Sequence, residues 1–93
     1  MDILKKIYDV IENRAKNPKD ESYTNYLLNK GNDKICKKIG EEAAETIIAV
    51  KNKDKAEIIY EISDLFYHLL VVMYNNGVAL SDIEAELAKR FKG

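Results

Sequence analysis

From Lys55 to Tyr74 the chain offers a helix almost no polar side on which to rest. On a wheel of about 100° per residue, Ile58, Ile62, Leu65, Leu69 and Val72 make one apolar face. Ile59, Phe66, Leu70 and Met73 carry that face further round, and Tyr60, Tyr67 and Val71 close the far edge of a single polar stripe. The stripe is Glu57, Glu61, Asp64 and His68. A helix apolar over most of its circumference is buried on more than one side. A chain of 93 residues makes one domain, spanning 1–93, and has too little material to cover such a helix alone. The expectation is a homodimer whose core continues across the interface.

The remaining segments are helical too. One proline and four glycines give the chain little turn chemistry. Ile3, Leu4, Ile7, Tyr8 and Ile11 fall at helical spacing in a first segment from Asp2 to about Ala15, which Asn17-Pro18 ends. Ser22-Tyr23-Thr24 opens a short helix through Leu28, stopped by Gly31. A third helix runs from about Asp33 to Lys51, capped by Asn32 or Asp33. Asp54 with Glu57 three residues later resembles a capping box for the fourth, and Gly77 marks its end. Ser81-Asp82-Ile83-Glu84 reads as a second capping box opening a last helix through Arg90. The fold class is therefore all-α, an antiparallel bundle of about five helices whose two long central members join at Asn52-Lys53.

Those two helices pose a chemical question. On the third, Lys38, Glu41, Glu42 and Glu45 form a stripe flanked by Ile35, Ile39, Ala43, Thr46, Ile47 and Val50 on one side and Ala44 and Ile48 on the other. On a solvated face, acidic residues usually alternate with lysines one turn away. Here Glu42 and Glu45 repel each other, as do Glu61 and Asp64, and both pairs border faces that must be buried. Something positive has to offset this. Mg²⁺, with Mn²⁺ as the alternative, is a hard ion suited to carboxylate oxygens, and two antiparallel helices each giving an i, i+3 pair can converge four ligands on one point. By spacing alone, an exposed acidic ridge answers the question as well. The Glu-x-x-His spacing of di-iron bundles is missing, since His68 follows Asp64 by four residues.

Composition removes other classes. Fifteen Lys+Arg against sixteen Asp+Glu leave a charge of −1, with no global footprint for nucleic acid or membrane. The longest apolar run, Leu69 to Tyr74, is far short of the ~20 residues of a membrane span. MDILKKIYDV has no signal-peptide pattern. The single Cys36 excludes an internal disulfide, suits a reducing cytoplasm and reads as a small buried apolar residue. The expected location is cytoplasmic.

In this order, SYTNYLLNKG (22–31), KIGEEAAE (38–45), YEISDLFYHLLVVM (60–73) and LSDIEAELAKR (80–90) resemble the phosphoribosyl-ATP pyrophosphohydrolases of histidine biosynthesis, within the all-α nucleoside-triphosphate pyrophosphatase superfamily. The carboxylate pattern alone marks only the superfamily. SYT before KIGEEAAE, followed by DLFYHLL, marks the histidine-pathway branch, and the resemblance spans Leu4 to Arg90. It implies Mg²⁺-dependent hydrolysis of 1-(5-phosphoribosyl)-ATP to 1-(5-phosphoribosyl)-AMP and pyrophosphate by a dimer of helical bundles. Carried over by position, Glu42, Glu45, Glu61 and Asp64 hold the metal, and Glu41 is a further ligand or orients the attacking water. Lys38 meets the triphosphate. His68 contacts a phosphate or a water on the metal, or packs behind the site. Ser22, Tyr23 and Thr24 form a phosphate- or ribose-binding turn, or an ordinary helix cap. Arg14, Lys34 and Lys37 either help hold the substrate or are solvated cations. In some organisms the activity is fused to the next enzyme, a cyclohydrolase needing Cys and His zinc ligands. One Cys and one His cannot build that site, which implies the pyrophosphohydrolase step alone. Two other readings share the pattern. A house-cleaning pyrophosphatase would act on other nucleoside triphosphates with the same site, and a non-catalytic helical adaptor would offer the acidic stripe to a basic partner.

Overall fold

The computed structural model describes residues 2–92 as five helices: α1 (Asp2–Lys16), α2 (Tyr23–Lys30), α3 (Asn32–Asn52), α4 (Lys55–Asn75) and α5 (Leu80–Arg90), with no strand among the described residues. α3 and α4 form the long central hairpin. Its turn is short because Lys53 takes the left-handed conformation (φ 57°) and its N–H returns to the Val50 carbonyl. Asp54 then caps α4, its carboxylate accepting from the Glu57 N–H at 3.2 Å. At the far end of α4, Gly77 (φ 71°) reverses the chain, and the Val78 N–H reaches back to the Met73 carbonyl at 2.9 Å.

α1 packs on α4 and α2, and α2 packs on both α3 and α4. Ile11, Leu27, Ile35, Leu70 and Val71 meet in one cluster, so all four elements contribute to the core. Tyr8 ties α1 to the end of α4, donating to the Val78 carbonyl at 2.8 Å and standing edge-on to Tyr74. In α4 the deepest residues are His68, Leu70 and Val71, all toward its C-terminal half. The sequence set Val71 at an edge and Leu69 on the main face. The structure reverses them because α1 and α2 close over the other side of that half. The N-terminal half of α4 meets α3 but leaves Ile59 and Tyr60 exposed.

Several expected details differ. Gly31, at φ 85° and ψ −171°, serves at once as the C-cap of α2 and the N-cap of α3. Asn32 is therefore helical already, and its amide is spent on Asn75 and Asn76 at the end of α4. The last helix begins before Ser81: Asp82 reaches back to the Ala79 N–H at 2.8 Å, a one-sided box, since alanine has no acceptor to return. Cys36 is exposed rather than buried, because the neighbouring Ile35 and then Ile39 turn the inward face of α3 away from it. From Ser81 to Arg90, α5 is exposed along its whole length. Among the described residues, no helix is long and apolar enough to cross a membrane.

Candidate metal centre

Glu42 sits where α3 faces the middle of α4, and it is only 3 % exposed. Its carboxylate belongs to two groups of donor atoms, each lying within 4.8 Å of one another: Glu42, Glu45 and Glu61, and Glu42, Asp64 and His68. The antiparallel hairpin thus brings together the i, i+3 pairs of both helices, with Glu42 shared between them. Buried Oε2 atoms of Glu42 and Glu61 have no hydrogen-bond partner. A buried carboxylate oxygen without a donor is costly to desolvate. The electrostatics report the same strain. Burial, followed by Asp64, Glu45 and Glu61, pushes the Glu42 carboxyl up to about 7. Contact with Glu45, followed by desolvation, raises Glu61 as well. One cation partly answers these charges: Lys38 lies 3.6 Å from Glu42 and 3.4 Å from Glu41. Glu41 is exposed on the rim, paired with Lys38, and lies outside both donor groups.

Orphaned oxygens, mutual repulsion and a donor set dominated by carboxylate oxygens suit a hard divalent cation. The cradle fits such an ion on its own chemistry.

His68 is 2 % exposed and both of its ring nitrogens are engaged. Nδ1 lies 2.8 Å from the Asp64 backbone carbonyl, which only accepts, so Nδ1 carries the proton. Nε2 lies 2.9 Å from the Tyr23 hydroxyl. His68 therefore links α4 to α2 while its ring borders the carboxylates, with Nδ1 3.8 Å from an Asp64 carboxylate oxygen. Thr24, also buried, pairs its hydroxyl with that of Tyr67. Ser22 caps α2 by accepting from the Asn25 N–H at 3.2 Å. The rings of Tyr23 and Tyr67 stack with centroids 6.1 Å apart, and His68 stands edge-on to both.

Sequence reasoning missed two members of this arrangement. Buried Asn25 accepts from the Lys19 N–H at 3.0 Å and donates to the Arg14 carbonyl at 2.8 Å, fixing the loop that enters α2. Tyr67 was read only as the edge of a stripe. No spacing pattern marks Asn25; Tyr67, one residue before His68, had its neighbour as a signal. Of the cations considered, Lys34 stands near the Tyr26 ring, 5.9 Å from its centroid, as does Lys30. Arg14 and Lys37 have no acidic partner within ion-pair distance among the described residues.

Fold and site together define an all-α protein with a cluster of carboxylates across a helical hairpin that could hold a metal ion. Residues 4–91 match the phosphoribosyl-ATP pyrophosphohydrolase family, and the chain belongs to that family. Phosphoribosyl-ATP pyrophosphatases of Bacillus mycoides and Clostridium acetobutylicum are each 54% identical over 89 residues, 96% of this chain, covering 83% and 81% of those proteins. A histidine biosynthesis bifunctional protein HisIE of Thermoanaerobacter pseudethanolicus is 64% identical over 84 residues, 90% of this chain but 39% of that protein. Its counterpart in Caldanaerobacter subterraneus is 53% identical over 92 residues, 99% of this chain and 45% of that protein. The chain thus spans less than half the length of the bifunctional relatives it matches.

Proposed function

We propose that the chain hydrolyses 1-(5-phosphoribosyl)-ATP to 1-(5-phosphoribosyl)-AMP and pyrophosphate, the second step of histidine biosynthesis, in the cytoplasm and with Mg²⁺. The observation that carries this reading is the pair of unpartnered buried oxygens on Glu42 and Glu61, converging with Glu45 and Asp64 inside a family of phosphoribosyl-ATP pyrophosphohydrolases.

Glu42, Glu45, Glu61 and Asp64 hold the metal. When bound, the ion neutralises charge on the phosphoryl oxygens and on the departing pyrophosphate. The remaining work falls to the chain's own side chains. The products require cleavage of the anhydride between the α and β phosphorus. Lys38, at the rim of the cradle, draws the triphosphate toward it and supplies a further positive charge. Glu41, outside the donor groups and paired with Lys38, orients the water and takes its proton. Tyr23 and His68 bound the site on the α2 side.

The working form is a homodimer. Ile47, Ile48 and Val50 of α3 and Ile59 and Tyr60 of α4 are each at least half exposed, and Ile83 and Leu87 of α5 are also uncovered. Apolar surface on this scale beside a catalytic hairpin is stabilised by a second copy that covers it.

The test is anion-exchange analysis of products from purified protein, phosphoribosyl-ATP and Mg²⁺, with an EDTA control and parallel reactions on dCTP, dUTP and ITP. Phosphoribosyl-AMP and pyrophosphate, lost on chelation, with little turnover of the other triphosphates, support the reading. Preferred hydrolysis of dCTP, dUTP or ITP would transfer the site to house-cleaning chemistry.

A further inference from the structure

Lys34 occupies a place that stability does not explain. Of the lysines between Asp2 and Lys92, only Lys34 and Lys38 are half-buried; the others are exposed. Lys38 has its reason in the cluster, 3.6 Å from Glu42 and 3.4 Å from Glu41. Lys34 has no carboxylate within ion-pair distance among the described residues. It is also the third residue of α3, where the helix dipole disfavours a cation. Its ammonium lies 5.9 Å from the centroid of the Tyr26 ring, and the Lys30 ammonium lies 5.9 Å from the same centroid. Both distances are at the outer limit of a cation–π contact. Two like charges gathered on one ring, one of them half-buried, are answered by an anion.

The helix fixes where this pair stands relative to the carboxylates. α3 runs unbroken from Asn32 to Asn52. On its wheel, Lys34, Lys38, Glu41, Glu42 and Glu45 fall within an arc of about 100°, so Lys34 begins the stripe that carries the cluster. It precedes Glu42 by eight residues, about 12 Å along the axis, and Lys38 stands midway. A second line of contacts spans the same gap. The Tyr26 ring stacks on Tyr23 at 6.0 Å, and the Tyr23 hydroxyl lies 2.9 Å from His68, which belongs to one donor group with Glu42 and Asp64. The surface therefore runs from the carboxylates, past Lys38, to a cationic end.

Phosphoribosyl-ATP is anionic at both ends. Its triphosphate lies on one side of the adenine, and the phosphomonoester of the added ribose lies on the other. We propose that Lys34, together with Lys30, forms a subsite for that phosphomonoester and so determines specificity for a nucleotide carrying a second phosphate. Lysine suits the task as a point charge for phosphate. This deepens the proposed function and rests on its substrate. Ordinary nucleoside triphosphates carry no such group, so the subsite separates them from phosphoribosyl-ATP where the carboxylates alone would not.

The product and its truncated analogue test this without turnover. Binding of phosphoribosyl-AMP and of AMP is measured by calorimetry with Mg²⁺ for wild type, Lys34→Gln, Lys34→Arg and Lys30→Gln. Wild type should bind phosphoribosyl-AMP more tightly than AMP. Lys34→Gln should weaken phosphoribosyl-AMP by roughly 10-fold or more, the size of one charge-assisted hydrogen bond. AMP affinity should stay within about 2-fold, because a charge that far from its phosphate is largely screened at physiological salt. Lys34→Arg should keep the preference, and Lys30→Gln should reduce it in the same direction as Lys34→Gln. Equal weakening of both ligands in Lys34→Gln would make Lys34 a general attractor of anions, and unchanged binding would make it a packing residue; either result overturns the proposal. A wild type without the preference does so too. Turnover is read separately: Lys34→Gln should raise KM for phosphoribosyl-ATP by a larger factor than it lowers kcat. Selective binding through Lys34 with no hydrolysis would sink the reaction and leave the subsite standing. Hydrolysis with an unaltered KM in Lys34→Gln would sink the subsite alone.

Discussion

Glu42 holds a proton near neutral pH that it would release in the unfolded chain. Its carboxyl is raised from 4.5 to about 7 by burial and by Asp64, Glu45 and Glu61. Between those values the native state binds more protons than the unfolded state, so metal-free stability falls as pH rises through that window. The contribution of this one group is at most about 3 kcal/mol. Thermal melts in EDTA should show a lower midpoint at pH 7.5 than at pH 5.5, and Glu42→Gln should flatten the difference. An unchanged slope in the variant would remove Glu42 as its source. The same protonation competes with metal, so Mg²⁺ affinity should weaken as pH falls below 7. Calorimetric titrations at pH 8 and pH 6 measure that directly. The four carboxylates were legible in the sequence because like charges beside apolar faces violate the usual helix-surface pattern. The contact between His68 and Tyr23 was not legible. Tyr23 lies on another helix, and only tertiary packing brings the two rings together.

At the scale of elements, boundaries depend on a few residues with specific backbone demands. Gly31 combines φ 85° with ψ −171° while ending one helix and starting the next. A side chain is strained in that region whatever the surrounding space, and no atom crowds the position. Gly31→Ala should cost about 1–3 kcal/mol from the backbone alone, read as a lower denaturant midpoint with an unchanged m-value. An effect below a few tenths would show that the turn can adopt another path. Ser22 and Asp54 announced their helices because their side chains accept from the first turn in the ordinary way. Ser81 misled because Asp82 turns back to Ala79 instead, starting the helix earlier. Asn32 misled for a related reason: a glycine before it already reverses the chain, freeing its amide to bind the end of α4. Local propensity located every helix, whereas competition for the same capping groups decided where each began.

For the whole molecule, the apolar excess of α4 was readable as a demand for more cover than one chain supplies, and its outer half remains uncovered in the single chain. Replacing Ile48 and Ile59, each 57% exposed, with glutamate should shift sedimentation from dimer to monomer. A variant that stays dimeric would place the interface elsewhere. The hairpin joins this surface to the chemistry, since the helices that present these residues also carry the four carboxylates. The most direct test therefore uses the folded chain: turnover of phosphoribosyl-ATP at saturating Mg²⁺ by wild type, Glu45→Ala and Asp64→Ala, each checked for helicity. Loss of a ligand should reduce turnover by at least about 100-fold in both variants while the protein stays folded. Wild-type rates in both would contradict the carboxylate cradle as the seat of the reaction.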